Sequence, residues 1–341
     1  MKKGNLSSII LIIPYFGELP NYFQYFLISC KYNSTIDFLL FTDDKTNYDY
    51  PDNFRVVYTT FEDVQKTIRN NYPFIVNIGF PYKLCDYKPA YGDIFKDYLV
   101  GYDFWGHCDI DLLFGDIRAF FSEDVLKSFD KVGHLGHLTL FRNTSIINNF
   151  YKKEMHKNDN EVIIPYQIAY KNSNTVGFDE WMFDTEYYKI GELFMFYNMP
   201  VYYENHFADL TPYTRPFIES YYNPYTKKRK SKRFFYYTWS NGKLYAHDFF
   251  NNEQKERLYV HFLKRPMKVK GNMDVNAEQM LIIPNEIILG GLVPSFAKKL
   301  KVLTINILNP EWGKRSFWII CGKIIKFLRK VGLWKKVENK K

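Results

Sequence analysis

The sequence has few cysteines, and no two of them are spaced as in a zinc knuckle or a disulfide framework. Cys30, Cys85, Cys108 and Cys321 are the four cysteines of a 341-residue chain, and they lie far apart. This pattern excludes a C-x-x-C metal site and a disulfide-rich scaffold, and it favours a reducing compartment. Internal repeats and low-complexity linkers are also absent, and a content of 46% apolar and 19% aromatic residues excludes a disordered chain. The sequence therefore predicts a folded, enzyme-sized protein.

Long apolar runs are missing too. The run from Ile9 to Ile13 ends at Pro14, and the run from Phe317 to Cys321 soon meets Lys323. A membrane-spanning helix needs about 20 apolar residues, and the core of a signal peptide is also longer than the first run. We therefore expect a cytoplasmic protein, peripheral on the inner face of the cytoplasmic membrane.

The excess of positive charge is local. The net charge is +9, but residues 298–341 alone hold 13 Lys and Arg against 2 acids, a net of +11, so the other residues sum to −2. A second basic cluster occupies Lys227 to Arg233. Charge confined to two patches, without a recognition motif, argues against a nucleic-acid-binding protein.

The order of apolar runs predicts an α/β fold. Ser7 to Ile13 and Ile36 to Phe41 are mainly apolar runs of strand length, as strands buried on both faces are. Between them, from Leu19 to Cys30, apolar residues follow a helical spacing. This strand–helix–strand opening is typical of a Rossmann-related sheet flanked by helices. Further predicted elements are strands at Arg55–Tyr58 and Phe104–Cys108, helices at Phe61–Asn70, Tyr91–Leu99 and from Ile117 to Leu126 with Asp116 as N-cap, and a hairpin around Ser240-Asn241-Gly242.

A D-x-D pair follows one of these strands. Asp109 and Asp111 come directly after Phe104–Cys108, and ligand sites of open α/β sheets lie beyond the carboxyl ends of strands. In an extended segment, residues i and i+2 share a face, so both carboxylates can hold one Mg²⁺ or Mn²⁺ ion. The alternative is that both residues only cap a turn before the next helix.

Several further segments resemble, in the same order, the landmarks of a bacterial family of polysaccharide-locus glycosyltransferases with the GT-A fold. The resemblance covers about Ser7 to Met267. The segments that carry it are Pro14–Gly17, Lys83–Tyr91, Tyr102–Asp111 with Gly115-Asp116, Gly136–Asn143, Phe178–Trp181 and His261–Arg265.

This resemblance implies a nucleotide-sugar donor, with UDP as the expected nucleotide, bound through a divalent cation. Asp109 and Asp111 would be the D-x-D ligands, and His261 would complete the metal shell. An imidazole beside two carboxylates suits Mn²⁺ better than Mg²⁺. Without the resemblance, His261 would equally be a histidine at the end of a strand.

The resemblance also suggests how the donor is bound. Tyr15 and Phe16 would hold the nucleotide base, although two aromatic residues after a strand are otherwise core residues. Asp86 would bind a sugar hydroxyl and Lys88 a phosphate at the start of a helix, unless Asp86 only caps a turn. The remaining donor contacts are Lys264 and Arg265 on the diphosphate, whose alternative is ordinary solvated charge.

The acceptor side depends on Asp179 and Glu180. An inverting transferase needs a carboxylate base that deprotonates the acceptor hydroxyl, and either residue would serve. Their alternative is a pair of acids at a helix start. His134 and His137, in a strand region with flanking glycines, are predicted to be structural.

These expectations combine into a GT-A-like catalytic domain at residues 1–293 and a basic amphipathic helical tail at 294–341. The tail has apolar residues on one helical face and lysines and arginines on the other, so we expect it to bind an anionic membrane surface unless it packs on the domain. The expected acceptor is a hydroxyl of a cell-surface polysaccharide or a lipid-linked glycan. The rival reading is a degenerate, non-catalytic module that binds glycan or anionic lipid.

Overall fold

The structure, a computed structural model, describes most of the chain up to residue 298. Predictions for Asp179, Glu180, Lys264, Arg265 and nearly all of the tail lie outside the described residues. The described ranges are 6–158, 161–171, 193–194, 197–203, 206–209, 218–223, 228–233, 235–248, 253–263, 266–271, 279–295 and 297–298.

Strands and short helices are interspersed up to residue 171, as predicted for an α/β protein, and strands predominate among the described residues after it. The strands are β1 (Ile9–Pro14), β2 (Ile36–Thr42), β3 (Phe54–Tyr58), β4 (Phe104–Cys108), β5 (Leu112–Phe114), β6 (Lys131–Leu135), β7 (Leu138–Arg142), β8 (Met155–Asn158), β9 (Glu161–Ile163), β10 (Val201–Tyr202), β11 (Ala208–Asp209), β12 (Ile218–Asn223), β13 (Lys228–Arg233), β14 (Phe235–Ser240), β15 (Lys243–Asp248), β16 (Gln254–Glu256), β17 (Tyr259–His261), β18 (Lys268–Lys270), β19 (Gln279–Ile283) and β20 (Glu286–Leu289). The α-helices are α1 (Phe23–Lys31), α2 (Phe61–Asn70), α3 (Tyr91–Ile94), α4 (Ile117–Phe120), α5 (Glu123–Ser128), α6 (Ser145–Asn148) and α7 (Pro165–Lys171), and 3₁₀-helices cover Pro81–Ala90, Lys96–Tyr98 and Phe150–Lys152.

The central sheet has seven strands in the order β10-β6-β7-β4-β1-β2-β3. β1 pairs in parallel with β2 and β4, and β2 pairs in parallel with β3, whereas β7 runs antiparallel between β4 and β6. The sheet is therefore mixed. Its strand order reverses between β1 and β4, and such a reversal opens a crevice at the carboxyl ends of the strands.

Both faces of this sheet are buried, which confirms what the apolar runs of β1 and β2 predict. Ile10 and Ile12 of β1 pack in one core with α2, α3 and α7, while Ile9, Leu11 and Ile13 pack in the other with α1. A strand that is covered on each side has no polar face, so its sequence is apolar at every position. The site below therefore rests on a rigid three-layer body.

A second sheet, in the order β16-β15-β14-β19-β20-β18, shares an apolar core with α1, β5 and β17. Its β14–β15 hairpin turns at Asn241 and Gly242, both with positive φ, as the Asn-Gly signal predicts. Trp239 of β14 is fully buried, and its indole N–H donates a 2.7 Å hydrogen bond to the carbonyl oxygen of Phe114. This contact joins the second sheet to the strand that follows the D-x-D pair.

Two predicted helices are shorter in the structure than in the prediction. The helix predicted from Ile117 to Leu126 is divided into α4 and α5, because the Ser122 hydroxyl accepts a hydrogen bond from the Val125 amide and so caps a new helix. The helix predicted at Tyr91–Leu99 ends at Ile94 and continues as a 3₁₀ turn. Asp116 is the N-cap of α4, as predicted, and accepts from the Ala119 amide.

Among the described residues, no helix combines the length and the apolar character that a membrane crossing requires.

One buried lysine in β6 gives a stability prediction. Lys131 is 1% exposed and lies 6.0 Å from the ring centroid of Phe141 and 5.6 Å from that of Phe194. Burial lowers the pKa of Lys131 from 10.5 to about 7. Lys131→Met should therefore raise the free energy of unfolding at pH 7 by about 1–3 kcal/mol, because methionine fills the site without a buried charge.

The advantage of this variant should shrink between pH 7 and pH 9. In that window the unfolded wild-type chain still binds the Lys131 proton and the folded chain releases it, so raising the pH stabilises the wild type relative to the variant. Urea unfolding at both pH values measures this difference. Lys66→Met, at a lysine whose side chain is 61% exposed, should show no such dependence, and a constant difference for Lys131→Met would contradict the prediction.

Candidate functional site

The candidate site lies where the sheet order reverses. Tyr15 follows the carboxyl end of β1, and Asp109 follows the carboxyl end of the neighbouring β4. The chain then turns at residues 109–111 into β5, so the D-x-D pair occupies a turn and not the extended segment that we expected. Two backbone hydrogen bonds anchor the turn: the Asp109 amide donates to the His137 carbonyl at 2.9 Å, and the Phe262 amide donates to the Asp111 carbonyl at 2.8 Å.

Strand pairing brings His261 to this turn. β17 runs antiparallel to β5 with His261 opposite Leu112, and β11 flanks β17 on its other side with Asp209 opposite His261. The apolar partners Val260 and Leu113 are both fully buried. The register is therefore fixed by packing, since a slip of one residue would bring the polar positions of the strand into this core.

The three side chains converge. The Nε2 atom of His261 lies 3.3 Å from Oδ1 of Asp111 and 4.0 Å from Oδ2 of Asp109. One ligand atom from each of the three residues lies within 4.8 Å of the other two. Asp111 and His261 are buried, whereas the Asp109 side chain is 29% exposed.

This donor set fits a divalent cation. Two carboxylates and one imidazole suit Mn²⁺ or Mg²⁺, and the imidazole favours Mn²⁺. Three protein ligands also leave room in the coordination shell for phosphate oxygens or water. The Asp109 side chain is the most exposed of the three, at 29%.

Lys88 is also part of this cluster, in a contact that the sequence analysis did not predict. It lies in the 3₁₀-helix Pro81–Ala90, is 5% exposed, and its ammonium forms an ion pair with Oδ1 of Asp109. The same ammonium donates a 2.9 Å hydrogen bond to the Gly136 carbonyl. Burial, the largest single effect, would lower the pKa of Lys88, but the charge of Asp109, its hydrogen bond with Lys88 and the nearby Cys85 and Asp111 together raise this pKa well above its ordinary value. Lys88 therefore remains charged.

His137 is the second residue that sequence reasoning missed. We predicted a structural role for it, but its ring centroid lies 4.0 Å from that of His261. Its Nδ1 lies 3.4 Å from the hydroxyl of Tyr259. Nothing in the local sequence signals this contact, because β6 and β7 approach β17 only in the folded chain. His137 limits the orientations open to the His261 ring.

The two predicted donor-binding residues after β1, Tyr15 and Phe16, have different surroundings. Tyr15 is half-buried, and its hydroxyl donates a 3.2 Å hydrogen bond to the Glu18 carbonyl. The pKa of Tyr15 is raised by burial first, and then by the charges of Asp111, Asp44 and Glu18. Phe16 instead belongs to the core, with its ring centroid 5.6 Å from that of Phe61, which is the alternative that we noted for it. The nucleotide contact expected of Tyr15 stays a prediction.

The loop that carries Tyr15 is held by the segment after β2. Gly17 has a φ of +100°, which glycine adopts without strain, and its amide donates to the Asp43 carboxylate at 2.8 Å. The Leu19 amide donates to the Asp44 carboxylate at 2.9 Å. Asp43 and Asp44 therefore fix the backbone on one side of the crevice.

Asp86 has a different environment from the one expected for a sugar-binding carboxylate. It is 8% exposed and forms a buried ion pair with Lys83, whose ammonium also donates to the Ala169 carbonyl at 3.2 Å. Asp86 and Lys88 lie inside the 3₁₀-helix, which leads directly into the four-residue helix α3. The remaining predicted residues, Lys264 and Arg265 on the donor side and Asp179 and Glu180 on the acceptor side, lie outside the described residues.

Comparison with known proteins gives one match. The model of a family of unknown function, DUF6625, matches residues 11–289. The match runs from within β1 to the end of β20, so it includes the whole candidate site and excludes the predicted tail. No curated protein matches the chain.

Proposed function

We propose that this chain, which belongs to the DUF6625 family, is a metal-dependent glycosyltransferase that uses a nucleotide-diphosphate sugar, with UDP as the expected nucleotide. The observation that carries the proposal is the convergence of Asp109, Asp111 and His261 within 4.8 Å at the carboxyl ends of the central strands. A D-x-D pair alone is weak evidence. Because strand pairing brings a histidine from far along the chain to this pair, the three residues together are stronger evidence for a metal site.

The architecture supports a GT-A-like fold. Four parallel strands in the order β3-β2-β1-β4 are followed by an antiparallel β7, and helices cover both faces. The crevice between the ends of β1 and β4 is where an α/β sheet binds a nucleotide. Tyr15 follows β1 and Asp109 follows β4, so this position in the chain supports a role for both residues at the crevice.

Different residues of the chain have different roles in the proposed reaction. Asp109, Asp111 and His261 would hold the ion, which when bound supplies positive charge for the departing diphosphate. Tyr15 would contact the nucleotide, on a loop that Asp43 and Asp44 hold in place. Asp179 or Glu180 remains our proposal for the base that accepts the proton of the acceptor hydroxyl.

The acceptor remains, as in the sequence analysis, a hydroxyl of a cell-surface polysaccharide or of a lipid-linked glycan. We also retain the proposal that the basic tail holds the protein on an anionic membrane surface. A lipid-linked acceptor would then lie in the same plane as the enzyme.

A thermal-shift panel of UDP, GDP and CMP, each with and without Mn²⁺, tests the proposal. A ligand that binds only the folded state raises the Tm by mass action. We expect the UDP sample with Mn²⁺ to give the largest shift, and EDTA to abolish it. Absence of any nucleotide shift would contradict a nucleotide-sugar enzyme and favour the non-catalytic alternative.

His261→Ala should weaken Mn²⁺ binding by about tenfold or more without changing which nucleotide is preferred. The variant removes one of three protein ligands but none of the groups expected to contact the base. Mn²⁺ titration in the presence of UDP measures the change. His156→Ala, at an exposed histidine in β8, is the matched control, and an unchanged titration for His261→Ala would remove His261 from the metal shell.

A further inference from the structure

The two oxygens of the Asp109 carboxylate have different surroundings. Oδ1 accepts from the Lys88 ammonium, while Oδ2 faces Nε2 of His261 at 4.0 Å. The Lys88 side chain is 6% exposed and the Asp109 side chain is 29% exposed. One oxygen is therefore committed to a buried cation, and the other is directed toward the candidate metal position.

We propose that Lys88 is a built-in positioning cation, which leaves Oδ2 as the Asp109 oxygen available to the metal and makes the divalent ion bind together with a nucleotide diphosphate. This inference rests on the proposed function and specifies how that site takes up its ligands. In this proposal Lys88 acts on the ion through Asp109, whose Oδ1 its ammonium contacts.

The charges of the cluster give the physical reason. Among the described side chains of the cluster, two carboxylates and one ammonium contribute a formal charge of −1, and a divalent ion brings this sum to +1. The Lys88 charge therefore weakens the attraction of the site for the ion alone, and the ion strengthens the attraction for a diphosphate. A like charge held against a metal ligand, at the effective dielectric constant of about 20 that fits protein sites, weakens cation binding by tenfold or more.

The hydrogen bond to Gly136 supports a fixed position for this cation. The Lys88 ammonium is held at 2.9 Å by the Gly136 carbonyl, and the neighbouring His137 carbonyl accepts from the Asp109 amide. The same loop thus fixes both the lysine and the backbone of the carboxylate that it contacts. Lys88 cannot move away when the ion enters without breaking these contacts.

The measurement is Mn²⁺ affinity by electron paramagnetic resonance of free Mn²⁺, with and without UDP, on the full chain. For the wild type we expect UDP to tighten Mn²⁺ binding by at least tenfold. For Lys88→Met we expect Mn²⁺ alone to bind about tenfold more tightly and the effect of UDP to fall. Lys88→Arg keeps the charge and should keep the effect of UDP.

Lys131→Met serves as the matched buried-lysine control, and we expect wild-type values from it. A purely structural role for Lys88 would lower stability in Lys88→Met but leave the ratio of the two Mn²⁺ affinities unchanged, and that result would overturn the inference. The wild-type measurement is independent of any variant: equal Mn²⁺ affinity with and without UDP, when both bind, overturns this inference alone. A protein that binds no UDP under any condition overturns the proposed function and this inference with it.

Discussion

Asp111→Asn should remove the Mn²⁺-dependent thermal shift by UDP and slow the release of UDP from a UDP-sugar by at least about a hundredfold, a loss of roughly 3 kcal/mol of transition-state stabilisation. The substitution keeps the shape of the side chain but removes one of the two carboxylates of the candidate site. Asp111 is also the carboxylate nearest to His261, at 3.3 Å. Its loss therefore leaves His261 without the nearer of the two carboxylates.

The fold should survive this change. The Asp111 backbone carbonyl, which accepts from the Phe262 amide, is unaltered by the substitution. Asp97→Asn, at an exposed position of a 3₁₀ turn, is the matched control for the loss of one acid. Near-normal UDP release by Asp111→Asn at saturating Mn²⁺ would show that the site is assigned to the wrong residues.

Gly106→Ala should destabilise the protein by about 3 kcal/mol or more, enough to prevent soluble expression of a marginally stable chain. Gly106 lies in the middle of β4, between β1 and β7. A Cβ atom there would lie 2.3 Å from the Thr139 carbonyl oxygen and 2.9 Å from the Leu11 side chain. Neither neighbour can give way, because both belong to strands of the central sheet and the core around them is closely packed.

The control is another glycine. A Cβ atom at Gly79 meets nothing within 4 Å, and its φ is not in the left-handed region. Gly79→Ala should therefore change the free energy of unfolding by no more than about 0.5 kcal/mol. Chemical denaturation of both variants measures the difference, and equal stabilities would mean that β4 has more space around it than the structure shows.

The local elements were predictable because their signals are local. The apolar runs of β1 and β2, the helical spacing of apolar residues in α2, and the Asn-Gly turn of the β14–β15 hairpin each predict a segment without reference to the rest of the chain. The division of the helix after Asp116 was not predicted, because a serine within an amphipathic pattern is compatible with one continuous helix. In the structure, the hydroxyl of this serine caps a new helix.

The site was less predictable because it depends on distant contacts. The proximity of His261 to the D-x-D pair followed only from the family resemblance, and the pairing of β17 with β5 now gives it a physical basis. The role of Lys88 could not be read from the sequence, where a lysine near a phosphate site suggests a phosphate ligand. The same limit applies to Asp86. Its partner Lys83 is only three residues away, but the sequence does not indicate whether the two side chains form an ion pair or face solvent.

The pairing of β5 with β17 also determines when the site can form during synthesis of the chain. Leu112 and its partner His261 are 149 positions apart, so at about 5–20 residues per second a ribosome needs roughly 7–30 s to make the second after the first. During this interval the nascent chain carries the two carboxylates without the histidine. The strand that completes the site is the middle one of its three-stranded sheet and the last of the three to be synthesised. The time at which the chain begins to bind metal during biosynthesis should therefore indicate when β17 inserts between β11 and β5. A chain stalled before Tyr259 would present the carboxylates of the central sheet without a complete metal site.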